Sequence, residues 1–209
     1  MKLEEFVESY GEPFSKLLGI DLSSRRNEEI VKWFLASILY SKPIRESSAT
    51  SAYKAFEAYG ILTVDKLLEA GWDGLVRILD EGGYVRYDFS TATKLLEVFG
   101  SLKRNYQSDF WKLYHEARDS QDLEAKLKAL GKGIGDGTVS IFLREMRELW
   151  PKADPKPTAL VKMAMDKLGI RDLKEFARKK GFDLIRLETA LLRLGKDFLK
   201  KGKNIELEL

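Results

Sequence analysis

Apolar residues recur along this chain at intervals of three and four, the spacing of one face of an α-helix. Leu123, Leu127 and Leu130 follow one another behind Ser120, and Val139, Phe142, Leu143 and Met146 build another face a short way downstream. The same periodicity predicts helices over 30–39, 48–59, 63–69, 73–79, 89–99 and 110–117 upstream of these. Downstream it predicts helices over 158–168, with Leu160, Val161, Ala164, Met165 and Leu168 on one face, then over 172–179 and 184–200. No segment sustains the apolar–polar alternation of a strand, so the expected fold class is all-α. Gly60, Gly71, Gly82, Gly83, Gly100, Gly169 and Gly181 fall where these patterns break and mark expected helix ends. There is no internal repeat and no low-complexity linker.

Composition narrows the class. With 209 residues, 44% of them hydrophobic and 33% charged, the chain is long enough for one large or two small cores. The absence of cysteine removes disulfides, thiolate nucleophiles and cysteine-ligated zinc or iron–sulfur clusters, and the single His115 argues against a histidine metal site. No apolar run reaches the roughly 20 residues of a membrane span, and the acidic segment 1–12 lacks a signal peptide's basic start. A soluble protein in the cytoplasm, without a membrane partner and acting as a monomer, is the expectation. High Lys and Glu content without cysteine points to a thermophilic prokaryotic source.

Net charge is only +3, but its distribution is uneven: residues 126–209 carry 20 Lys and Arg against 12 Asp and Glu, leaving 16 against 21 before them. The basic half begins beside the run Gly131-Lys132-Gly133-Ile134-Gly135-Asp136-Gly137-Thr138. A glycine-rich turn between two helices lets backbone N–H groups approach an anion at a helix N-terminus, which itself favours negative charge. Gly133, Ile134, Gly135, Gly137, Thr138 and Lys132 are therefore the candidate phosphate-contacting residues, with Ile134 plugged between the two helices. Such turns also cap ordinary helices, so the surroundings decide. Nineteen residues after Gly135 stands Asp154, followed by Pro155. That pair reads as a helix N-cap with proline in the first helical position, and a cap of this kind would hold its carboxylate rigidly.

The order of these elements resembles the helix-hairpin-helix DNA glycosylase superfamily, its endonuclease III-like group, across roughly residues 28–170. Three segments carry the resemblance: Trp33-Phe-Leu-Ala-Ser-Ile-Leu-Tyr-Ser-Lys-Pro-Ile44, Glu81-Gly-Gly-Tyr-Val-Arg-Tyr-Asp-Phe-Ser-Thr-Ala-Thr-Lys94, and the glycine turn with Asp154 beyond it. The first looks like the family's early barrel helix and the loop that enters the duplex, the second like its Gly-aromatic-x-Arg loop, the third like its hairpin. The resemblance implies two helical lobes, one over 28–138 ending in the hairpin and one formed by 1–27 with 139–209, with a cleft between them for a flipped base. It implies hydrolysis of the N-glycosidic bond of a damaged base in double-stranded DNA, with Asp154 as the catalytic carboxylate that stabilises oxocarbenium character on the sugar. A structural monovalent cation at the hairpin fits the motif, and no other cofactor is expected.

Departures from the family pattern are equally informative. Strand-cleaving members carry a lysine two residues after the second hairpin glycine, where this chain has Gly137, so a monofunctional enzyme is expected. Lys132, Lys42 and Lys156 are the substitutes the sequence offers, each first read as a phosphate or solvent contact. The cluster-binding cysteines of some relatives are missing. Lesion recognition falls to Tyr40, Ser41, Lys42, Tyr84, Arg86 and Tyr87 in the two other loops, while Trp33, Phe34, Phe89 and Phe142 are expected in the core. A non-catalytic DNA-binding protein with the same hairpin, in which Asp154 serves only as a cap, is the alternative, as is a glycosylase with lyase activity through a non-standard lysine.

Overall fold

Helical periodicity is realised throughout the chain, all 209 residues of which are described by a computed structural model. Twelve α-helices follow in order: α1 (Leu3–Tyr10), α2 (Phe14–Leu17), α3 (Asn27–Tyr40), α4 (Glu46–Ala58), α5 (Val64–Glu81), α6 (Asp88–Tyr106), α7 (Phe110–Glu116), α8 (Ser120–Lys128), α9 (Asp136–Met146), α10 (Ala159–Leu168), α11 (Leu173–Lys180) and α12 (Leu184–Arg193). The fold is all-α; the lone β feature is a bridge between Lys2 and Glu208. None of the helices is long and apolar enough to cross a membrane.

The chain forms two units, one spanning Leu18–Pro155 and one joining Met1–Leu17 to Lys156–Leu209. These boundaries differ from the 28–138 division read from the sequence. The reason is packing: α9 lies against α3 and belongs to the same core, so the central unit runs on to Pro155.

In the central unit α3 is apolar on nearly every side, and Ile30, Trp33, Phe34, Leu35, Ile38 and Leu39 are all buried. A helix of that pattern needs neighbours around it, which α4, α7 and α9 supply. The Phe34 ring meets Phe99, Phe110 and Phe142 edge-on at centroid distances of 6.2, 4.9 and 4.9 Å, and the Trp33 indole donates to the Phe142 carbonyl at 3.1 Å. Side chains of this size contribute about 1.5–3 kcal/mol each when fully buried. Thr63, Asp109 and Asp119 cap α5, α7 and α8, each accepting a backbone N–H within the first turn. Gly71 kinks α5 in a left-handed conformation (φ 66°), so the two helices expected over 63–69 and 73–79 are collinear in sequence but broken where the glycine predicts.

Two expectations about helix ends are corrected. Gly100 does not end a helix; α6 continues through it to Tyr106, because Gly100 is buried where α6 packs on α5 and a Cβ there would press on the Arg104 guanidinium at 3.0 Å and touch Leu68. Asp154 is not an N-cap: the segment from Ala153 to Pro157 is not helical, and α10 starts at Ala159 under Thr158, whose hydroxyl accepts from the Val161 N–H. With Pro157 following so soon after Pro155, the backbone cannot enter a helix until Thr158.

The terminal unit packs α1 against α12, with Leu3, Phe6, Leu187, Ala190, Leu191 and Leu194 in its core. Arg193 donates to the carbonyls of Tyr10 and Glu12 at 2.7 and 2.8 Å while its guanidinium covers the Phe14 ring, tying α2 to the end of α12. Beyond Arg193 the helix expected to reach residue 200 widens into a π-turn over Leu194–Phe198. Gly195 lies there against α10, where a Cβ would stand only 2.2 Å from the Leu160 carbonyl oxygen.

Candidate nucleic-acid interface

The glycine turn between α8 and α9 assigns a different physical task to each glycine. Gly131 rests on α6, where a Cβ would come within 2.7 Å of Val98. Gly133 has φ +88°, a conformation that L side chains rarely adopt. Gly135 and Gly137 have neither reason: both are exposed, their backbone is extended and helical respectively, and a Cβ at either would meet nothing within 4 Å. Ile134 is buried beneath the turn, as its apolar character between polar neighbours predicts.

The N-terminus of α9 carries no side-chain cap. Its first backbone bond runs from the Val139 N–H to the Gly135 carbonyl at 3.1 Å, so the N–H groups of Asp136, Gly137 and Thr138 head the helix without an intrahelical acceptor. Thr138 is itself buried, and like Ile134 it has only backbone to offer a ligand. Lys132 is exposed, and its N–H donates to the Glu97 carboxylate at 2.9 Å, which pins the turn to α6. Asp136 pairs with Lys128, and this partner holds its carboxyl below the usual range.

Beside the turn lies a group that the sequence reading missed. Lys94, on α6, is 8% exposed, and its Nζ sits where a Cβ on Gly133 would be 3.3 Å away. Lys42, from the loop after α3, stands close enough for its ammonium to act on this amine. Burial first, and the Lys42 charge second, push the Lys94 ammonium down to about 8. The signal for it was present: Thr91, Lys94, Val98 and Ser101 share one face of α6 and all are buried, so a lysine interrupts an inward-facing stripe.

The loop of the 3-10 turn Val85–Tyr87 completes this neighbourhood. Lys42 lies over the Tyr87 ring at 5.2 Å, and the exposed Arg86 approaches the same ring at 5.5 Å. Three loops distant in sequence thus meet, through Lys42, Tyr87, Lys94 and Gly133. Tyr84 does not join them as a recognition residue. It is 2% exposed, its hydroxyl donates to the Leu39 carbonyl at 2.6 Å, and burial pushes its phenol up, so it is a core residue that ties this loop to the end of α3. Tyr40 is half-buried with its hydroxyl on Thr50, and the Ser41 hydroxyl caps the Ile38 carbonyl at 2.7 Å. Phe89 also departs from expectation: it is 59% exposed in the first turn of α6, its ring tilted at 44° to that of Trp72 with centroids 5.1 Å apart, rather than in the core. Its neighbours Ser90 and Thr93 are exposed with it, whereas Leu95 and Phe99 further along α6 are buried.

Asp154 has a separate anchor. The side chain is exposed, while Trp150, Ala153 and Pro155 around it are buried. The Ala153 N–H donates to the Trp150 carbonyl at 2.8 Å, Arg147 donates to the Pro155 carbonyl at 3.1 Å, and the Lys152 amine donates to the Tyr114 and Ala117 carbonyls, at 3.1 and 2.5 Å respectively. The backbone that carries the carboxylate is therefore fixed even without a helix cap. Lys156 is exposed just beyond it. No group of three or more His, Asp or Glu side chains gathers at a place suited to a metal ion. Comparison with protein-family models, with curated proteins and with solved structures finds no significant match.

Proposed function

We propose that this chain is a DNA glycosylase that hydrolyses the N-glycosidic bond of a damaged or modified base in duplex DNA, as a step of base excision repair. The observation that carries the reading is that the glycine turn ahead of the uncapped α9 N-terminus lies, at Gly133, against Lys94, which stands beside the Lys42 that covers the Tyr87 ring. Backbone N–H groups and the exposed Lys132 suit a DNA phosphate, and Gly135 and Gly137 let the sugar–phosphate chain approach closely. Tyr87 and the exposed Phe89 offer ring faces to an unstacked base, which must leave the duplex at a cost of about a few kcal/mol before its glycosidic bond is reachable.

In this reading Asp154 is the catalytic carboxylate. The departing base takes the bonding electron pair, the sugar develops oxocarbenium character, and a carboxylate on a fixed backbone stabilises that charge and accepts a proton from the attacking water. General-base assistance of this kind is worth about 10² to 10⁴ in rate.

One observation favours a second reading, a DNA-binding protein without catalysis: the Asp154 side chain is exposed rather than set in a dry pocket. Both are tested with duplexes that each carry one oxidised, alkylated or deaminated base. The glycosylase reading expects base release by the wild type and a loss of at least about 10²-fold in Asp154→Asn, with binding retained. Salt-dependent binding by both proteins with no release from any duplex would favour the second reading.

A further inference from the structure

Among the buried polar groups of the central unit, Lys94 alone is a lysine ammonium buried to 8% exposure with another ammonium beside it. A structural lysine would be expected to face a carboxylate or carbonyls, because a buried charge is costly unless paired. Here the exposed Gly133 lies against the Lys94 amine and lacks the Cβ that would cover it, while Lys42 approaches from the other loop. We propose that Lys94 is the amine nucleophile of an abasic-site lyase activity, attacking the ring-opened C1′ aldehyde of a deoxyribose that has lost its base. The inference rests on the glycosylase reading for the source of that aldehyde, and it replaces the expectation that Gly137 leaves the chain without a strand-cleaving step.

The chemistry needs no further reactant. The neutral Lys94 amine adds to C1′, and the carbinolamine takes up one proton from solvent and loses one water to give an iminium ion. A C2′ proton then passes to solvent water, the C2′–C3′ bond becomes double, and the C3′–O bond breaks with its electron pair leaving on the 3′ phosphate. One water hydrolyses the iminium and frees both the unsaturated aldehyde and the amine. At pH 7 a group titrating at about 8 is neutral in about one molecule in ten, several hundred times more often than an ordinary lysine. The other charged groups on the elements around it are Lys132 and Asp136 at the glycine turn, Arg45 in the Lys42 loop, Arg86 in the neighbouring loop, and Asp88, Glu97, Lys103 and Arg104 on α6 itself. Of all these, Lys42 is the one that lowers the titration of Lys94.

The test uses the full chain, a duplex with a preformed abasic site, and sodium borohydride to reduce any iminium to a stable amine. The wild type is expected to form a covalent adduct that peptide mapping places on Lys94, faster as pH rises through about 8. Lys94→Met, which keeps the apolar stem and the fold, and Lys94→Arg, which keeps the charge, are both expected to lose trapping at least 100-fold while still binding the duplex. Lys42→Ala should move the pH profile of trapping upward. An adduct mapped to Lys42, Lys132 or Lys156, or trapping that persists in Lys94→Arg, would overturn the proposal. A preformed abasic site bypasses base release, so the two readings fail separately. Base release without any adduct sinks the Lys94 assignment alone, whereas an adduct without base release keeps it and sinks the glycosylase.

Discussion

Tyr84 and Lys94 are buried polar side chains within one loop and one helix of each other, and they differ in how burial is compensated. The Tyr84 hydroxyl has a carbonyl to donate to, and its raised titration follows from burial. The Lys94 amine has another amine. A satisfied buried group is a structural one, whereas a buried group left beside like charge is the kind that concentrates where chemistry is done. Tyr84→Phe should therefore act on stability: leaving the Leu39 carbonyl without its donor costs about 1–2 kcal/mol, read as a shift of the urea midpoint at constant slope. Base release per folded molecule should stay at the wild-type level. A tenfold loss of release with an unchanged midpoint would return Tyr84 to the recognition surface.

At the level of the element, the turn between α8 and α9 separates glycines that the fold requires from glycines it does not. Gly133→Ala places a Cβ at φ +88° and 2.9 Å from Lys94 Cε, so it strains the backbone and displaces the amine together. A loss of about 1 kcal/mol or more is expected in thermal unfolding, with loss of trapping. Gly137→Ala should do the opposite to stability. Its backbone is helical and its surroundings open, so alanine gains about 0.5–1 kcal/mol of helix propensity. If a sugar–phosphate chain approaches α9 there, the same substitution weakens DNA binding, and a more stable protein binds less well. Unchanged affinity in Gly137→Ala would show that the α9 N-terminus is not where the strand lies.

Across the whole molecule, what was legible in the sequence was what depends on local period. The helices, the Gly71 break and the Ile134 plug all follow from spacing alone. What was not legible depends on which distant segments meet. The run of α9 into the α3 core set the unit boundary at Pro155, the Tyr84 hydroxyl went to the Leu39 carbonyl, and Lys42 came beside Lys94 with no local signature beyond one lysine on a buried stripe. The same holds for charge. A net of +3 and a basic C-terminal half say little about where a polyanion would lie, because Lys128 is neutralised by Asp136 and Lys103 by Asp65, whereas Lys132 and Lys42 have no acid partner. The salt dependence of duplex binding distinguishes these cases. Each lysine that neutralises a phosphate contributes about 0.9 to the slope of log affinity against log salt concentration. Lys132→Gln and Lys42→Gln should each lower that slope by about this amount, and Lys103→Gln should leave it unchanged. Equal slopes in all three variants would mean that the basic surface around the glycine turn is solvated in the complex and that the DNA backbone follows another face.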